Sequence, residues 1–457
     1  MKKLILFLLV GISFHSNAQN IESSFFSLNQ ISGDKSKIRA KSPTEIVSTS
    51  FSSENGVEVF TFLKDADTMI YATVPYGYRI NDFVVLDNCI FFCGKNILDS
   101  CGYIGIFDVN ISTMNIGGYK FVDIPTTVEL TKIVAYNNND LSDEYGAVAI
   151  GKPQNNNFKS SVVDLNNYLN NNSWSYTIGF TKTDYITDIA LMTDEYNNGE
   201  ISTVGQSIVS NSNISEPIVY SKTMYIRNYK KADVLGSGME NSLHVYSYTN
   251  LRMSLDSPFK MHKLANNKVA VSTIAQYSIL QQNNPSYGIE VKTIDLYSMQ
   301  IENIQFINNC SGTFKEMAYF PTANKLGVLK RNTNGMDEIF LFDMSQITSY
   351  TSSKIYHNNA YLNSISCYDG THFLATSLER NLITSRLSLL QGDINDFFTS
   401  ECANVGATQI SSSNTSISPN NIVTNVFDKQ VYLVNFEYVS KSTYKTSVKV
   451  KCINYYK

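Results

Sequence analysis

Histidine, the side chain that most often transfers protons near neutral pH, is scarce in this chain, with five copies in 457 residues. Apart from His15, near the N-terminus, the histidines are His244, His262, His357 and His372. None has a second histidine four residues away or lies in a His-Glu-x-x-His motif, which excludes a zincin. The sequence also lacks the Gly-x-Ser-x-Gly elbow of α/β-hydrolases and the Gly-x4-Gly-Lys-Ser/Thr loop that binds nucleotide phosphates.

Three adjacent acidic pairs are the next groups that could do chemistry: Asp143-Glu144, Asp194-Glu195 and Asp337-Glu338. The first two lie in Asn-rich turns, and calcium is the cofactor that such oxygens would suit. Neither run has the alternating Asp-x-Asn-x-Asp-Gly pattern of calcium ligands, so we expect solvated turns, no metal and no cofactor. Carboxylates brought together from distant loops would suit glycoside cleavage, which a single sequence leaves open.

The cysteines all follow the N-terminal segment, and their number is odd. They are Cys89, Cys93, Cys101, Cys310, Cys367, Cys402 and Cys452. Cys93 and Cys101 flank a polar loop between two strand-like segments, so we expect a disulfide that closes this hairpin in an oxidising compartment. Cys89, Cys93 and Cys101 have no nearby histidine and no second cysteine pair, which argues against a zinc site.

The N-terminal segment has the three parts of a secretory signal peptide. Met1-Lys2-Lys3 is cationic, residues 4–12 are an apolar run, and Ser16-Asn17-Ala18 gives a small-x-small cleavage pattern. We therefore predict a signal peptide over 1–18 and an exported protein, periplasmic or extracellular. No later apolar run reaches the ~20 residues that a transmembrane helix needs. The net charge of −4, without a basic stripe, argues against a nucleic-acid partner.

A hairpin pattern recurs along the chain at intervals of roughly 45 to 60 residues, a period typical of propellers and repeat arrays. The first copy is a strand over 80–86, a polar turn and a second strand over 90–94. The other copies pair 130–136 with 146–151, 186–192 with 200–205, 262–264 with 268–273, 314–320 with 325–330, 362–368 with 373–377, and 422–427 with 431–438. Asn, with 49 copies against 23 of Gly, suits the many turns that this pattern needs.

A second pattern is a strand that ends in Asp followed by an apolar residue, at Asp108, Asp164, Asp295 and Asp343. A ring of metal ligands is one interpretation. We favour turn closure, because Asp at a strand end commonly binds its own backbone. A further strand follows each copy and completes a four-stranded antiparallel meander. Several meanders arranged radially protect each other's edges and share a core, which is the arrangement of a β-propeller.

We therefore predict an all-β chain whose residues 45–457 form a β-propeller of four-stranded antiparallel blades, after an extension over 19–44. Six units are complete. Strands over 56–63 and 68–74 would join strands over 422–427 and 431–438 in one composite blade, so that N- and C-terminal strands close a seven-bladed ring. Eight or six blades are the alternatives. A pair of β-sandwiches would also have short strands, but would not explain the recurring hairpin.

In a propeller, the loops between blades and the loops between the two middle strands of each blade open on the same face, where ligands usually bind. Tyr76, Tyr78 and Arg79 lie in such a loop, and aromatic faces beside a fixed cation would suit a sugar or a carboxylate-bearing ligand. Packing of the two tyrosines between blades is the competing interpretation. Further candidates in equivalent loops are Asp184, Tyr185, Arg331 and Arg380.

Because of this periodic pattern of strands, the chain resembles secreted bacterial β-propellers in general, over most of the residues after 18. The resemblance implies a fold and little about activity, because the Trp-Asp, kelch and Asp-box signatures are missing and Trp174 is the only Trp. Our first hypothesis is a non-enzymatic protein that binds a protein or glycan through the loops on one face. The alternatives are an extracytoplasmic polysaccharide hydrolase or lyase with carboxylates from several blades, and a structural envelope component.

Overall fold

The computed structural model shows an all-β protein and describes most of the chain between residues 22 and 451. The described residues are 22–26, 36–42, 45–52, 56–64, 68–86, 89–113, 115–138, 144–167, 173–181, 185–192, 200–211, 219–230, 243–247, 258–264, 267–277, 286–298, 300–308, 310–333, 335, 337–345, 350–354, 360–367, 369–380, 385–394, 404–406, 425–432, 434–436, 442–445 and 449–451. The predicted signal peptide lies outside them.

Thirty-three strands follow one another along the described part of the chain. The first thirteen are β1 (Glu22–Phe26), β2 (Lys37–Ser42), β3 (Glu45–Ser52), β4 (Val57–Lys64), β5 (Thr68–Thr73), β6 (Tyr78–Leu86), β7 (Cys89–Asn96), β8 (Cys101–Asn110), β9 (Asn115–Ile124), β10 (Thr127–Asn138), β11 (Glu144–Pro153), β12 (Ser160–Asn167) and β13 (Ser173–Thr181). The next twelve are β14 (Tyr185–Met192), β15 (Glu200–Asn211), β16 (Val219–Lys230), β17 (Leu243–Ser247), β18 (Lys260–Lys263), β19 (Lys268–Tyr277), β20 (Ser286–Asp295), β21 (Gln300–Asn308), β22 (Thr313–Phe320), β23 (Lys325–Arg331), β24 (Asp337–Asp343) and β25 (Tyr350–Lys354). The last eight are β26 (Ala360–Cys367), β27 (His372–Arg380), β28 (Ser385–Asp393), β29 (Asn404–Gly406), β30 (Asn425–Tyr432), β31 (Val434–Phe436), β32 (Ser442–Lys445) and β33 (Lys449–Lys451).

The described strands form seven antiparallel sheets, which we number along the chain. Sheets 1 to 6 are built on consecutive meanders: β2–β5, β6–β9, β10–β13, β14–β17, β18–β21 and β22–β25. Sheet 7 has the order β26-β27-β28-β1-β33. Sheets 4 and 5 have four strands and the others have a fifth, so the prediction of four-stranded sheets holds in part.

The first strand of each sheet packs against the first strands of its two neighbours, in the order β2, β6, β10, β14, β18, β22, β26 and back to β2. Small antiparallel sheets arranged radially in this way are a β-propeller, and these inner strands surround its axis. Because the meanders share one direction, all inner strands begin on one face of the ring, which we call the proximal face. They end on the opposite, distal face.

Closure of the ring uses different strands from those predicted. The strands over 56–63 and 68–74 do not join a C-terminal hairpin, because β2 and β3 complete sheet 1 within the N-terminal part. Both β1 and β2 lie in the predicted extension over 19–44, so the propeller begins before residue 45. The N-terminal strand β1 instead pairs with β28 in sheet 7, and the C-terminal strand β33 pairs with β1.

The predicted hairpin of 422–427 with 431–438 is wrong, because its two parts lie in different sheets. The C-terminal strands β30, β31, β32 and β33 add to the outer edges of sheets 3, 2, 1 and 7 in turn. Each addition pairs the backbone of an outer strand that would otherwise be an unpaired edge.

The core consists of apolar clusters between adjacent sheets. Between sheets 1 and 2, Phe60 lies with its ring centroid 5.1 Å from that of Phe92 and 5.7 Å from that of Phe83, both in edge contact. Similar clusters lie between sheets 2 and 3, 3 and 4, 4 and 5, 5 and 6, and 6 and 7. Strands such as β7 and β8 carry buried side chains on both faces, so each sheet packs against both of its neighbours.

The predicted Cys93–Cys101 disulfide is not formed, and both thiols are free and buried. Cys93 lies opposite Ile104 on β8, whereas Cys101 lies opposite Asn96. Cys93 packs in the cluster between sheets 2 and 3, and Cys101 shares its face of β8 with Tyr103, which packs toward sheet 1. Side chains on opposite faces of a sheet cannot meet the short Cβ–Cβ distance of a disulfide.

Two of the strand-end aspartates act as the turn closers that we predicted. Asp295 accepts hydrogen bonds from the backbone N–H groups of Tyr297 and Ser298, at 2.9 and 2.8 Å. Asp343 accepts one from the backbone N–H of Ser345 at 2.9 Å. Asp164 is different, because it is fully buried and accepts a hydrogen bond from the Tyr136 hydroxyl.

A glycine faces the point where the inner strand bulges in several sheets. Gly94 pairs with Ile80 just before the bulge between Ile80 and Asp82, and a Cβ at Gly94 would lie 1.7 Å from the Arg79 carbonyl oxygen. Gly151 stands at the same place opposite Leu130 in sheet 3. Glycine is therefore required at these two positions by the close approach of two backbones.

We predict that Gly94→Ala lowers the free energy of unfolding by about 3 kcal/mol, because the added methyl group overlaps backbone and forces the bulge to move. Urea denaturation measures the change. Gly335→Ala is the matched control: its φ is +80° but its Cβ would meet nothing within 4 Å, so we expect about 1 kcal/mol. Equal losses in the two variants would contradict the role assigned to the bulge.

Candidate functional site: a charged ring and a cavity on the axis

Five inner strands carry the same short pattern near their start, in which two polar residues interrupt the apolar alternation. The pattern reads Ile80-Asn81-Asp82-Phe83, Leu130-Thr131-Lys132-Ile133, Ile186-Thr187-Asp188-Ile189, Phe314-Lys315-Glu316-Met317 and Leu362-Asn363-Ser364-Ile365. Each has a register shift between its first and third residue. Such a bulge re-aims the third side chain, and in four of these strands that side chain lines a cavity on the axis.

The two polar residues join each of three sheets to the next one. Asp82, Asp188 and Glu316 accept hydrogen bonds from the backbone N–H groups of Ile133, Met261 and Ile365 in the following sheets. The residue before each acid donates to a carbonyl of the same following sheet. These donations run from Asn81 to Leu130, from Thr187 to Phe259 and from Lys315 to Leu362. A bulged dipeptide therefore makes two hydrogen bonds across the boundary between sheets.

Ion pairs connect the bulged residues around the axis. The Arg39 Nη2 atom lies 3.2 Å from Asp82 Oδ1 and 3.1 Å from Glu316 Oε1. The Lys132 Nζ atom lies 3.8 Å from Asp82 Oδ2 and 3.9 Å from Asp188 Oδ1. Acids therefore stand on sheets 2, 4 and 6, and cations on sheets 1 and 3 between them. We call Arg39, Asp82, Lys132, Asp188, Lys260, Glu316 and Ser364 the charged ring.

Burial and neighbouring charges shift the pKa values of the ring in opposite directions. Burial alone would raise the pKa of Glu316, but Lys37, Arg39 and Lys132 outweigh burial and hold that pKa well below its ordinary value. Burial alone would lower the pKa of Lys132, but Asp82, Asp188 and Glu316 raise it above its ordinary value. Both side chains are therefore charged throughout the physiological range.

The ring lines one end of a cavity of about 290 Å³. All of the lining residues belong to the ring or to the inner-strand residues after it, so the cavity extends from the ring toward the distal face. Sheet 5 contributes Lys260 and His262. Burial lowers the pKa of Lys260 to about 8, with Asp188 only partly offsetting it, and lowers the pKa of His262 to about 4. At pH 7 the cavity therefore holds an ammonium group and a neutral imidazole.

The residues predicted as a ligand site lie on the proximal face and are not all exposed. Tyr76 has 67% of its surface exposed, whereas Tyr78 is buried with its ring centroid 4.4 Å from that of Phe121. The Arg79 guanidinium lies 3.8 Å from the centroid of the Phe51 ring and donates to the Gly56 carbonyl oxygen. Phe121 lies in the same sheet as Tyr78, and both belong to the apolar cluster between sheets 1 and 2, so Tyr78 is part of the core. Arg79 joins sheets 1 and 2.

The remaining predicted residues that the structure describes are spread around the same face. Tyr185 is 43% exposed and lines a groove between sheets 3 and 4, whereas Asp184 lies outside the described residues. Arg331 forms a bidentate pair with Asp337, at 2.8 and 3.0 Å, and Asp337 accepts the backbone N–H of Leu362. Arg331 is therefore part of the connection between sheets 6 and 7. Arg380 ends β27, opposite Ser385.

The groove beside Tyr185 has a volume of about 460 Å³ and combines aromatic and cationic side chains. Its lining residues include Tyr185, Phe158, Asn156, Lys152 and Lys159. The Lys159 ammonium lies 5.3 Å from the centroid of the Tyr185 ring, and both lysines are exposed. Among the predicted site residues that the structure describes, Tyr185 therefore lies in a concave groove beside a cation, Lys159.

The sequence interpretation missed the charged ring, although its pattern is present in the sequence. Two successive polar residues inside an otherwise alternating strand, repeated in five hairpins, mark a bulge that turns a charge inward. In the part of the chain that the structure describes, no three His, Cys, Asp or Glu side chains come together as metal ligands. Within the same residues, no helix has the length and apolar character needed to cross a membrane.

Comparisons with known proteins identify no family for this chain. No protein-family model matches it, and no curated protein is significantly similar. Among solved structures, Hsv2 of Kluyveromyces lactis is 10% identical with a TM-score of 0.36, over 80% of this chain and 100% of that chain. A protein of unknown function from Dyadobacter fermentans is 7% identical with a TM-score of 0.35, over 82% of this chain and 98% of that chain.

We predict that Glu316→Gln lowers the free energy of unfolding at pH 7 by about 3 kcal/mol, because it removes the buried carboxylate that pairs with Lys37 and one of the two that pair with Arg39. The folded-state pKa of Glu316 lies below its ordinary value of 4.5, so its contribution is present above pH 4.5 and is lost as the pH falls below that value. Urea denaturation between pH 3 and pH 7 should show the two proteins converging in acid.

The control for this variant is Glu302→Gln, which breaks an exposed pair with Lys268 at 2.7 Å. We expect a change of at most about 0.5 kcal/mol, because solvent screens that pair. If Glu316→Gln cost no more than Glu302→Gln, the ring would not hold the sheets together.

A second prediction concerns how much the buried ammonium of Lys260 lowers the free energy of unfolding. Because burial lowers its pKa to about 8, the unfolded chain binds more protons between pH 8 and about pH 10.5, and the wild-type protein gains stability as the pH rises through this range. We therefore expect Lys260→Met to raise the free energy of unfolding at pH 7 by about 1 kcal/mol, with a difference that shrinks above pH 8. Lys152→Met, at an exposed position, should change stability by less than about 0.5 kcal/mol. A destabilised Lys260→Met protein at pH 7 would contradict the electrostatic argument.

Proposed function

We propose that the protein is an exported, non-enzymatic β-propeller in which each of the seven sheets serves as one blade. It binds a protein or glycan ligand through the proximal face. The observation that carries this proposal is the groove between sheets 3 and 4, in which Tyr185 and Phe158 lie beside Lys152 and Lys159. Aromatic faces stack on sugar rings, and ammonium groups bind carboxylates. A glycan that carries carboxylate groups is the ligand that these side chains suit best.

The alternative of a polysaccharide hydrolase is less well supported by the carboxylates on the axis. Asp82 and Glu316 do approach one another, since each has an oxygen within 3.2 Å of Arg39 Nη2. A glycosidase needs one carboxyl group that keeps its proton near neutral pH. The pKa of Glu316 is shifted in the opposite direction, and both carboxylates already accept backbone N–H groups. Their arrangement suits a structural connection between blades better than acid catalysis.

We predict that the mature protein binds acidic oligosaccharides, tested with polygalacturonate and alginate fragments, and does not bind neutral cello-oligosaccharides. Combining Tyr185→Ala with Lys159→Met should weaken this binding at least tenfold, as measured by isothermal titration calorimetry. Tyr297→Ala is the matched control, because Tyr297 is 93% exposed in the turn after β20, on the distal face.

Two results would overturn the proposal. Formation of new reducing ends from any of these glycans would make the protein an enzyme. Equal binding by the groove variant and by Tyr297→Ala would place the ligand elsewhere on the surface.

A further inference from the structure

The charged ring has one position where a charge lacks a close partner. Arg39 and Lys132 each lie between two acids, and Lys260 stands at the corresponding place on sheet 5, between Asp188 and Glu316. Lys260 takes part in none of the ion pairs within 4 Å among the residues that the structure describes. The ammonium lines the cavity instead.

The accessible charge in the cavity is positive, although acids and bases alternate around it. The side chains of Asp82, Asp188 and Glu316 are 4%, 8% and 6% exposed, and their oxygens are used by ion pairs and backbone N–H groups. Arg39 and Lys132 are more accessible, at 23% and 16%. A solute that enters the cavity therefore meets cations before it meets carboxylates.

Beyond the ring the cavity wall is mostly apolar. Val84, Val134, Met261 and Ala318 are among the apolar residues that line this part. The neutral His262, with Tyr319, Ser366 and Cys367, adds polar groups. At about 30 Å³ for each water-sized group, 290 Å³ holds roughly ten non-hydrogen atoms. A cation at one end and apolar walls above it match a compact amphiphile better than a bare inorganic ion or a sugar chain.

We propose that this cavity is a second binding site, separate from the proximal groove, which takes a small organic anion with its acidic group against the Lys260 ammonium and its apolar part along the distal walls. The ion pair with the ligand supplies the close partner that Lys260 lacks among the residues that the structure describes. Carboxylates, alkyl sulfates and alkyl phosphates share this chemistry, and the test below distinguishes them.

Binding should depend on the protonation of Lys260. Its pKa of about 8 in the unliganded protein means that most molecules carry the ammonium at pH 7 and few do at pH 9, so we expect the affinity to fall about tenfold between these values. The charged groups that act on Lys260 are Asp188, Lys132, Lys37 and Glu316. The other titratable groups that line the cavity are Arg39, Asp82, His262, Tyr319 and Cys367. Of these, Glu316 and Lys132 stay charged and His262 stays neutral over that range.

The test is isothermal titration calorimetry of the mature protein with hexanoate, hexyl sulfate, hexyl phosphate and the uncharged 1-hexanol. We expect at least one of the three anions to bind and 1-hexanol to bind at least tenfold more weakly. Lys260→Met, which we expect to be folded and more stable than the wild type, should lose anion binding at least tenfold. Lys263→Met is the matched control, because Lys263 lies on the same strand but does not line the cavity.

Whichever anion binds best identifies the acidic group of the ligand class. The proposal is overturned if none of the three anions binds, if 1-hexanol binds equally well, or if Lys260→Met binds as the wild type does. The groove variant of Tyr185 and Lys159 should keep full hexanoate binding, so failure of the proximal site and failure of this site are distinguishable.

Discussion

The inner strands bring polar side chains from every sheet to one axis, where the surrounding sheets bury them. Charges of one sign would repel strongly there, and unpaired charges would carry the full cost of burial. The ring avoids both costs because its charges alternate, with acids on sheets 2, 4 and 6 and cations on sheets 1, 3 and 5. An odd ring cannot alternate all the way round, and the seventh sheet carries the neutral Ser364, whose hydroxyl donates to Glu316.

The bulge that turns these side chains inward also explains other parts of the structure. It brings the strand backbone close to the second strand of the sheet, so that position needs glycine, as at Gly94 and Gly151. It also frees the residue before each acid to bond with the next sheet, as Asn81 and Thr187 do. Charge, glycine and the contact between sheets are therefore three consequences of one local backbone feature.

The two proposed sites differ in how firmly the fold holds them. The cavity beside Lys260 is lined by inner strands that neighbouring sheets fix on both sides, so its shape is pre-organised. The groove beside Tyr185 includes the loop between β11 and β12, which contributes Asn156 and Phe158. Loops of this kind tolerate variation and commonly carry recognition, which suits the proximal face to a larger and more variable ligand.

The sequence by itself determined the all-β class, the recurring hairpin and the turn role of Asp295 and Asp343, because these depend on alternation and local turn chemistry within a few residues. It did not determine which strands close the ring. In the sequence, Lys37 and Arg39 make β2 resemble a solvent-exposed segment, and only the folded ring buries these charges. Nor did it show that the side chains of Cys93 and Cys101 lie on opposite faces of sheet 2. Only the tertiary structure decided these points, because they depend on contacts between sheets that lie hundreds of residues apart, such as Arg39 with Glu316.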